Sequence, residues 1–146
     1  MTAFHVGLGV ALIAINAAAG AWGAWCWWRR REGRGFWPLL RAGQGVVMLQ
    51  AVDGAILLAL GRDLPDLHLI YGLVPLGVSF VAEQLRLVSA DTVLAQRGLE
   101  GRADVEALPH AEQRDLVRAI LRREMGVMAA SALVVVFLAL RAAGLP

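Results

Sequence analysis

Lysine is absent from this chain of 146 residues, cysteine and tyrosine occur once each, and charged side chains make up only 18% of it. Each scarcity excludes something. Soluble proteins carry about 25% charged residues. So few charges, set against 58% apolar residues and a mean hydropathy of +0.60, exclude an ordinary water-soluble domain. A soluble domain of about 150 residues buries only ~70% of its unfolded surface and could not hide that much apolar side chain. Lipid is the remaining solvent. The lone Cys26 rules out an internal disulfide and any cysteine-based metal cluster; among tryptophans, it reads as a buried, inert thiol. The 14 arginines against 12 acids leave a net charge of +2, too small an excess to suggest nucleic acid as a partner. No internal repeat, glycine-rich phosphate loop or low-complexity tract is present.

What the chain does have is long apolar runs. Residues 3–28 hold no formal charge and exceed the ~20 residues that cross a hydrocarbon core of about 30 Å. This run is a span and not a cleaved signal, because no basic segment precedes it and Arg29, Arg30, Arg31 and Arg34 follow it. Residues 36–60 form a second run, interrupted by Arg41 and Asp53, and residues 67–90 a third, carrying Glu83 and Arg86. The short segment 61–66 between them is a turn that makes them antiparallel neighbours. The fourth run, 126–141, is uncharged until Arg141. Residues 1–146 therefore read as one all-α domain, an integral membrane four-helix bundle with up-and-down connections.

Arginine near span ends favours the cytoplasmic side. The loop after the first span holds four arginines and the segment 91–125 holds six, whereas the other side has only Arg62 and Arg141. Both termini are thus expected outside and both basic segments in the cytoplasm, which places the chain in the inner (plasma) membrane with the lipid bilayer as its first partner. Trp22, Trp25, Trp27, Trp28 and Trp37 all lie toward that inner boundary, where indole rings collect. Within 91–125 the first half, with Gly98 and Gly101, reads as a frayed helix end and loop. From residue 111 to 124 the pattern predicts an amphipathic helix leading into the fourth span. Leu116, Ile120 and Leu121 are expected on one side and Arg114, Arg118 and Arg122 on the other. Such a stalk would lie on anionic lipid, hold a partner, or simply end a long helix.

At about 100° per residue, Tyr71, Gly72, Pro75, Ser79, Glu83 and Arg86 all fall within about 60° of His68. A face of His, Tyr, Ser, Glu and Arg has to look inward, because a charge at the bilayer centre costs ~2.5–3.5 kcal/mol even on the lenient insertion scale. The first span repeats the layout more weakly, with Gly9, Asn16, Gly20 and Gly23 within about 60° of His5. Both spans start outside, so His5 and His68 are expected at similar depth and, in an up-and-down bundle, across the core from each other. Antiparallel matching brings Arg41, beside Gln44, to Glu83. It carries Asp53, beside Gln50, toward Tyr71 or His68.

These residues support functions of different classes. Internal polar groups commonly lock helices together, and no catalytic constellation is visible, so a scaffold or accessory subunit of a membrane complex asks least of the sequence. A bis-histidine haem b, with His5 and His68 as iron ligands and Asp53 or Tyr71 orienting a ring, would make the chain a membrane redox protein. A quinone held by His68, Tyr71 and Asp53, in a pocket bounded by Asn16 and Ser79, needs only one histidine. Proton or solute transport along the third span, through Glu83 and Asp53, would require a homo-oligomer, because four spans are few. Zinc lacks a third ligand beyond Asp53, since His110 is on the far side, and no serine has a histidine at its depth for hydrolysis.

Overall fold

A computed structural model describes residues 3–62 and 66–144. Among them the chain is all-helical, without a strand: α1 (Ala3–Arg29), α2 (Phe36–Ala59), α3 (Asp66–Leu87), α4 (Ser89–Gln96), α5 (Arg102–Ala107) and α6 (His110–Ala142). Four of these, α1, α2, α3 and α6, are long and apolar enough to cross a membrane. Asp63, Leu64 and Pro65 of the expected turn, and residues 1, 2, 145 and 146 of the single domain, lie outside the described residues.

The helix ends follow local chemistry. α2 closes with Gly61 at φ 75, its N–H on the Leu58 carbonyl and the Arg62 N–H on Leu57. α4 closes the same way at Gly98, φ 67, with Gly98 on Ala95 and Leu99 on Leu94. Both are Schellman ends, in which a left-handed residue lets two amides satisfy the last carbonyls. α1 uses the same hydrogen bonds, Arg30 to Trp27 and Arg31 to Cys26, but with Arg30 at φ 53 in the position that favours glycine.

Two boundaries differ from the sequence expectation. The third apolar run reaches residue 90, but its helix breaks at Val88, and the next residue, Ser89, turns its hydroxyl back to the Leu85 carbonyl at 2.9 Å. Thr92 does the same to Val88 at 2.8 Å. Such back-bonding bends helices, and α4, with Ser89 and Val93 buried, packs against α6. The segment expected as a frayed helix end and loop is helical over α4 and α5, with the non-helical residues 97–101, which include Gly98 and Gly101, between them. The expected stalk and fourth span are one continuous helix of 33 residues. Its buried face runs Leu116, Met125, Met128, Ala129, Ala132 and Val135. Leu121, expected on the Leu116 side, is 46% exposed, because five residues rotate it about 140° away.

α1 packs against α2 and α6, α3 packs against α6, and α2 touches α3. Small residues set the closest approaches. A Cβ built on Gly23 would stand 2.5 Å from the Phe36 ring and 2.9 Å from Ala129, so α1, α2 and α6 meet there with no room for a methyl group. One part of the core is Ala19, Cys26, Phe36, Leu40, Ala82, Met125, Met128, Ala129 and Ala132. Leu12, Val47 and Val135 form a second cluster. On α3, Ile70, Leu73, Val74, Phe80, Val81 and Leu85 are exposed, while His68, Tyr71, Ser79, Glu83 and Arg86 are half-buried and Pro75 and Ala82 buried. The polar face thus turns toward protein and the opposite face is apolar, as lipid requires.

Candidate functional site

Two polar clusters lie between the long helices, one at each end. The first is built on His5. Its ring is 5% exposed although it sits in the first turn of α1. Gly54 on α2 and Gly9 on α1 lie beside it: a Cβ on Gly54 would make ordinary contact with His5 Cε1 at 3.7 Å, and one on Gly9 would do the same with Gln50 Nε2 at 3.6 Å. His5 Nδ1 donates to Asp53 Oδ2 at 2.8 Å, and Gln50 Nε2 donates to His5 Nε2 at 3.1 Å. This pairing sets the tautomer, because a ring nitrogen that accepts from an amide leaves the other to carry the proton. The His68 ring stands beside it, with centroids 5.8 Å apart and planes tilted by 49°. His68 Nδ1 donates to the Ala142 carbonyl at 2.9 Å, one of the orphan acceptors at the end of α6.

Asp53 lies at the expected depth but meets a different helix. It was expected to reach Tyr71 or His68 on α3, and it binds His5 on α1 instead. The cause is packing: α1 lies directly against α2 with glycines between them. The α1 start therefore sits level with Asp53, a turn and a half below the α2 end. Asn16 likewise turns to α2. Its amide donates to Leu12 O at 2.9 Å, and a Cβ on Gly43 would stand 2.9 Å from its Oδ1. Tyr71 and Ser79 are half-buried on the inward side of α3.

The second cluster joins α2, α3 and α6 nearer their other ends. Arg41 Nη1 donates to Glu83 Oε1 and, at 2.6 Å, to Gln44 Oε1. Gln44 Nε2 donates to the same Glu83 oxygen at 2.9 Å. Arg86 Nε donates to Glu83 Oε2 at 2.8 Å, and its Nη1 lies 3.7 Å from Glu124 Oε2. Glu83 is thus the shared acceptor of two guanidiniums and an amide. Sequence reasoning named Arg41, Gln44, Glu83 and Arg86 but missed Glu124, which it had assigned to the cytoplasmic segment. The helix through residue 124 was expected; what the sequence did not carry is that α6 packs against α3 so that Glu124 meets Arg86. The Ala142 carbonyl was also missed, and a backbone acceptor at a helix end has no side-chain signature.

A porphyrin iron needs a ring nitrogen from each histidine, and both His5 nitrogens are engaged, one with Asp53 and one with Gln50. Iron ligation at His5 would therefore have to displace the Gln50 amide. Among the described residues no group of three or more His, Cys, Asp or Glu side chains is arranged to hold a metal ion. What the clusters do is connect. His5–Asp53 ties α1 to α2, His68–Ala142 ties α3 to α6, Arg41–Glu83 ties α2 to α3, and Arg86–Glu124 ties α3 to α6. No known protein family, curated protein or solved structure matches this chain.

Proposed function

We propose that this chain is a small multi-pass inner-membrane protein, an up-and-down four-helix bundle with both termini outside, that serves as a scaffold or accessory subunit of a membrane complex. The observation that carries this reading is the fate of the six charged or imidazole side chains within the spans. His5, Arg41, Asp53, His68, Glu83 and Arg86 are all engaged by groups on another helix. Such residues in a span are functional candidates by default; here each of them takes part in a hydrogen bond or ion pair that joins two helices, as in membrane bundles held by polar glue. α5 supports the partner role. It has no buried residue, yet it is ordered by Arg102–Glu106, by Asp104 accepting from the Glu100 amide, and by the Gln113 side chain donating to Leu108 O. An ordered segment without a buried face is suited to presenting charge to a partner in the cytoplasm.

Two measurements test this. With Cys26 replaced by alanine, Arg102→Cys is expected to react with an impermeant maleimide only after the inner membrane is opened; labelling of intact cells would reverse the topology. Tagged protein extracted from native membranes in mild detergent is expected to migrate in a complex well above the 15.7 kDa chain, and the double reversal Arg102→Glu/Glu106→Lys is expected to release it. A lone, fully folded monomer in both samples would remove the scaffold reading.

A second reading is favoured by Gln50. Its Oε1 is buried and has no hydrogen-bond donor among the described residues, a deficit of about 1–3 kcal/mol for a buried acceptor. A small lipophilic ligand with a hydroxyl, such as a quinol, would supply the donor, with His68, whose ring stands beside His5, at the rim of the site. Organic extracts of the purified protein would then contain stoichiometric quinone that Gln50→Leu loses. An extract without quinone would eliminate this reading. An absorption spectrum checks the remaining cofactor: no Soret band is expected, and one that disappears in His68→Ala would restore the haem.

A further inference from the structure

The turn after α1 and the first half of α6 enclose a cleft of about 540 Å³ that none of the readings above uses. Arg30, Arg31, Arg34, Arg118 and Arg122 line it, and only two acids, Glu32 and Asp115, oppose them. Those acids are already paired, Glu32 with Arg34 at 3.6 Å and Asp115 with Arg118 at 3.0 Å. Among the described residues no carboxylate lies within ion-pair distance of Arg30, Arg31 or Arg122. The cleft therefore holds an excess of uncompensated positive charge. Its remaining wall is of a different kind: Trp27, Trp37, Cys26, Leu121 and Met125, of which Cys26 and Met125 belong to the apolar core.

Two details show that the basic rim is held in place. Arg122 Nε donates to the Trp27 carbonyl at 3.2 Å while its guanidinium carbon lies 5.3 Å from the centre of the Trp27 ring. This fixes the plane of the group and leaves its terminal nitrogens for another acceptor. Arg30 stands at φ 53, the strained conformation that Gly61 and Gly98 occupy at the equivalent ends of α2 and α4. A strained non-glycine residue points to a requirement for its side chain at that spot.

We infer that this cleft binds the phosphodiester headgroup of an anionic phospholipid of the surrounding leaflet. The arginines take the phosphate oxygens, in the bidentate manner that guanidinium favours. The tryptophans lie at headgroup level and the acyl chains descend along the apolar wall beside Leu121. A soluble anion would use the rim but gain nothing from that wall. Basic pockets between spans on the cytoplasmic side are the expected place for such lipids. The inference is independent of whether the chain is a scaffold, and its test uses the purified chain alone.

The full chain in dodecyl maltoside micelles is titrated with phosphatidylglycerol, phosphatidylcholine, glycerol phosphate and inorganic phosphate, and bound lipid is counted by native mass spectrometry alongside tryptophan fluorescence. Phosphatidylglycerol is expected to bind at least tenfold more tightly than phosphatidylcholine. Each arginine near the surface accounts for about a fivefold change in affinity, so Arg30→Gly/Arg31→Gln should weaken the anionic lipid about 25-fold. Arg102→Gln, outside the cleft, should leave it unchanged. Arg30→Gly relieves backbone strain, so the variant keeps its fold; helicity checks this, and Arg31→Gln/Arg34→Gln carries the same expectation if it does not. Equal binding of the two lipids, unchanged affinity in a folded double variant, or inorganic phosphate binding as tightly as phosphatidylglycerol would each overturn the proposal.

Discussion

Gly23 is the point at which three spans touch, and adding one methyl group there tests how tightly they fit. The new Cβ of Gly23→Ala would lie 2.5 Å from Phe36 Cε2, 2.8 Å from Cδ2 and 2.9 Å from Ala129 Cβ, where ordinary contact begins at 3.4 Å. The Phe36 ring would need to retreat by about 0.9 Å. It is fully buried, with Ala19, Cys26 and Leu40 in the same core cluster and the Trp37 ring 5.1 Å away. α1 cannot tilt away from Phe36 without pressing on α6 at Ala129. Over-packing of a well-filled core costs ~1–3 kcal/mol, and a site blocked from two directions belongs in the upper part of that range. Alanine returns up to ~1 kcal/mol through helix propensity, leaving a net loss of ~1–2 kcal/mol, a roughly 5- to 30-fold shift in the folding equilibrium. Gly45→Ala is the matched control, because nothing lies within 4 Å of its Cβ, and it should be neutral or up to ~1 kcal/mol more stable. Reversible unfolding in mixed dodecyl maltoside and dodecyl sulfate micelles, followed by helicity, compares the two. Equal stabilities would refute the three-helix contact and the packing built upon it.

Other consequences follow from the polar clusters and the strained turn. Glu83→Gln should destabilise more than Arg41→Gln, since it strips two guanidiniums of their acceptor and not one; hydrogen bonds to charged groups put the larger loss at ~2 kcal/mol or more. A double-mutant cycle on the pair should give a coupling of ~0.5–3 kcal/mol, and a cycle that closes at zero would show that the pair contributes nothing. His5→Ala should cost ~1.5–3 kcal/mol, because it leaves a half-buried carboxylate without its donor. Asp53→Asn keeps an acceptor for His5 Nδ1 and should cost less; the reverse order in the same unfolding assay would contradict the His5–Asp53 bond. Arg30→Gly should stabilise by roughly 0.5–1 kcal/mol, the relief of a left-handed conformation less the extra freedom glycine gives the unfolded chain. A loss of stability there would mean that the Arg30 side chain supports the fold.

Four runs of apolar residues broken by arginines determine by themselves that the chain has four helices able to cross a membrane, because hydrocarbon permits no unpaired backbone and therefore little besides helix. The same periodicity determines which side of α3 faces protein, since a stripe of His, Tyr, Ser, Glu and Arg cannot face acyl chains at low free energy. Partner choice is another matter. Asp53 could be assigned a depth from its place in α2, but whether it meets α1 or α3 depended on how closely glycines let α1 and α2 approach, which is a property of two surfaces and not of one pattern. The break at Val88 likewise coincides with two hydroxyls, of Ser89 and Thr92, bonding back to their own helix, a competition between local hydrogen bonds that apolar spacing does not register. The pairing of Glu124 with Arg86 and the arginine-lined cleft depended on how α6 packs against α3 and α1, so that side chains far apart in sequence came to share one level. Depth and facing are one-dimensional properties that a sequence carries; neighbours and register arise only when the helices press together.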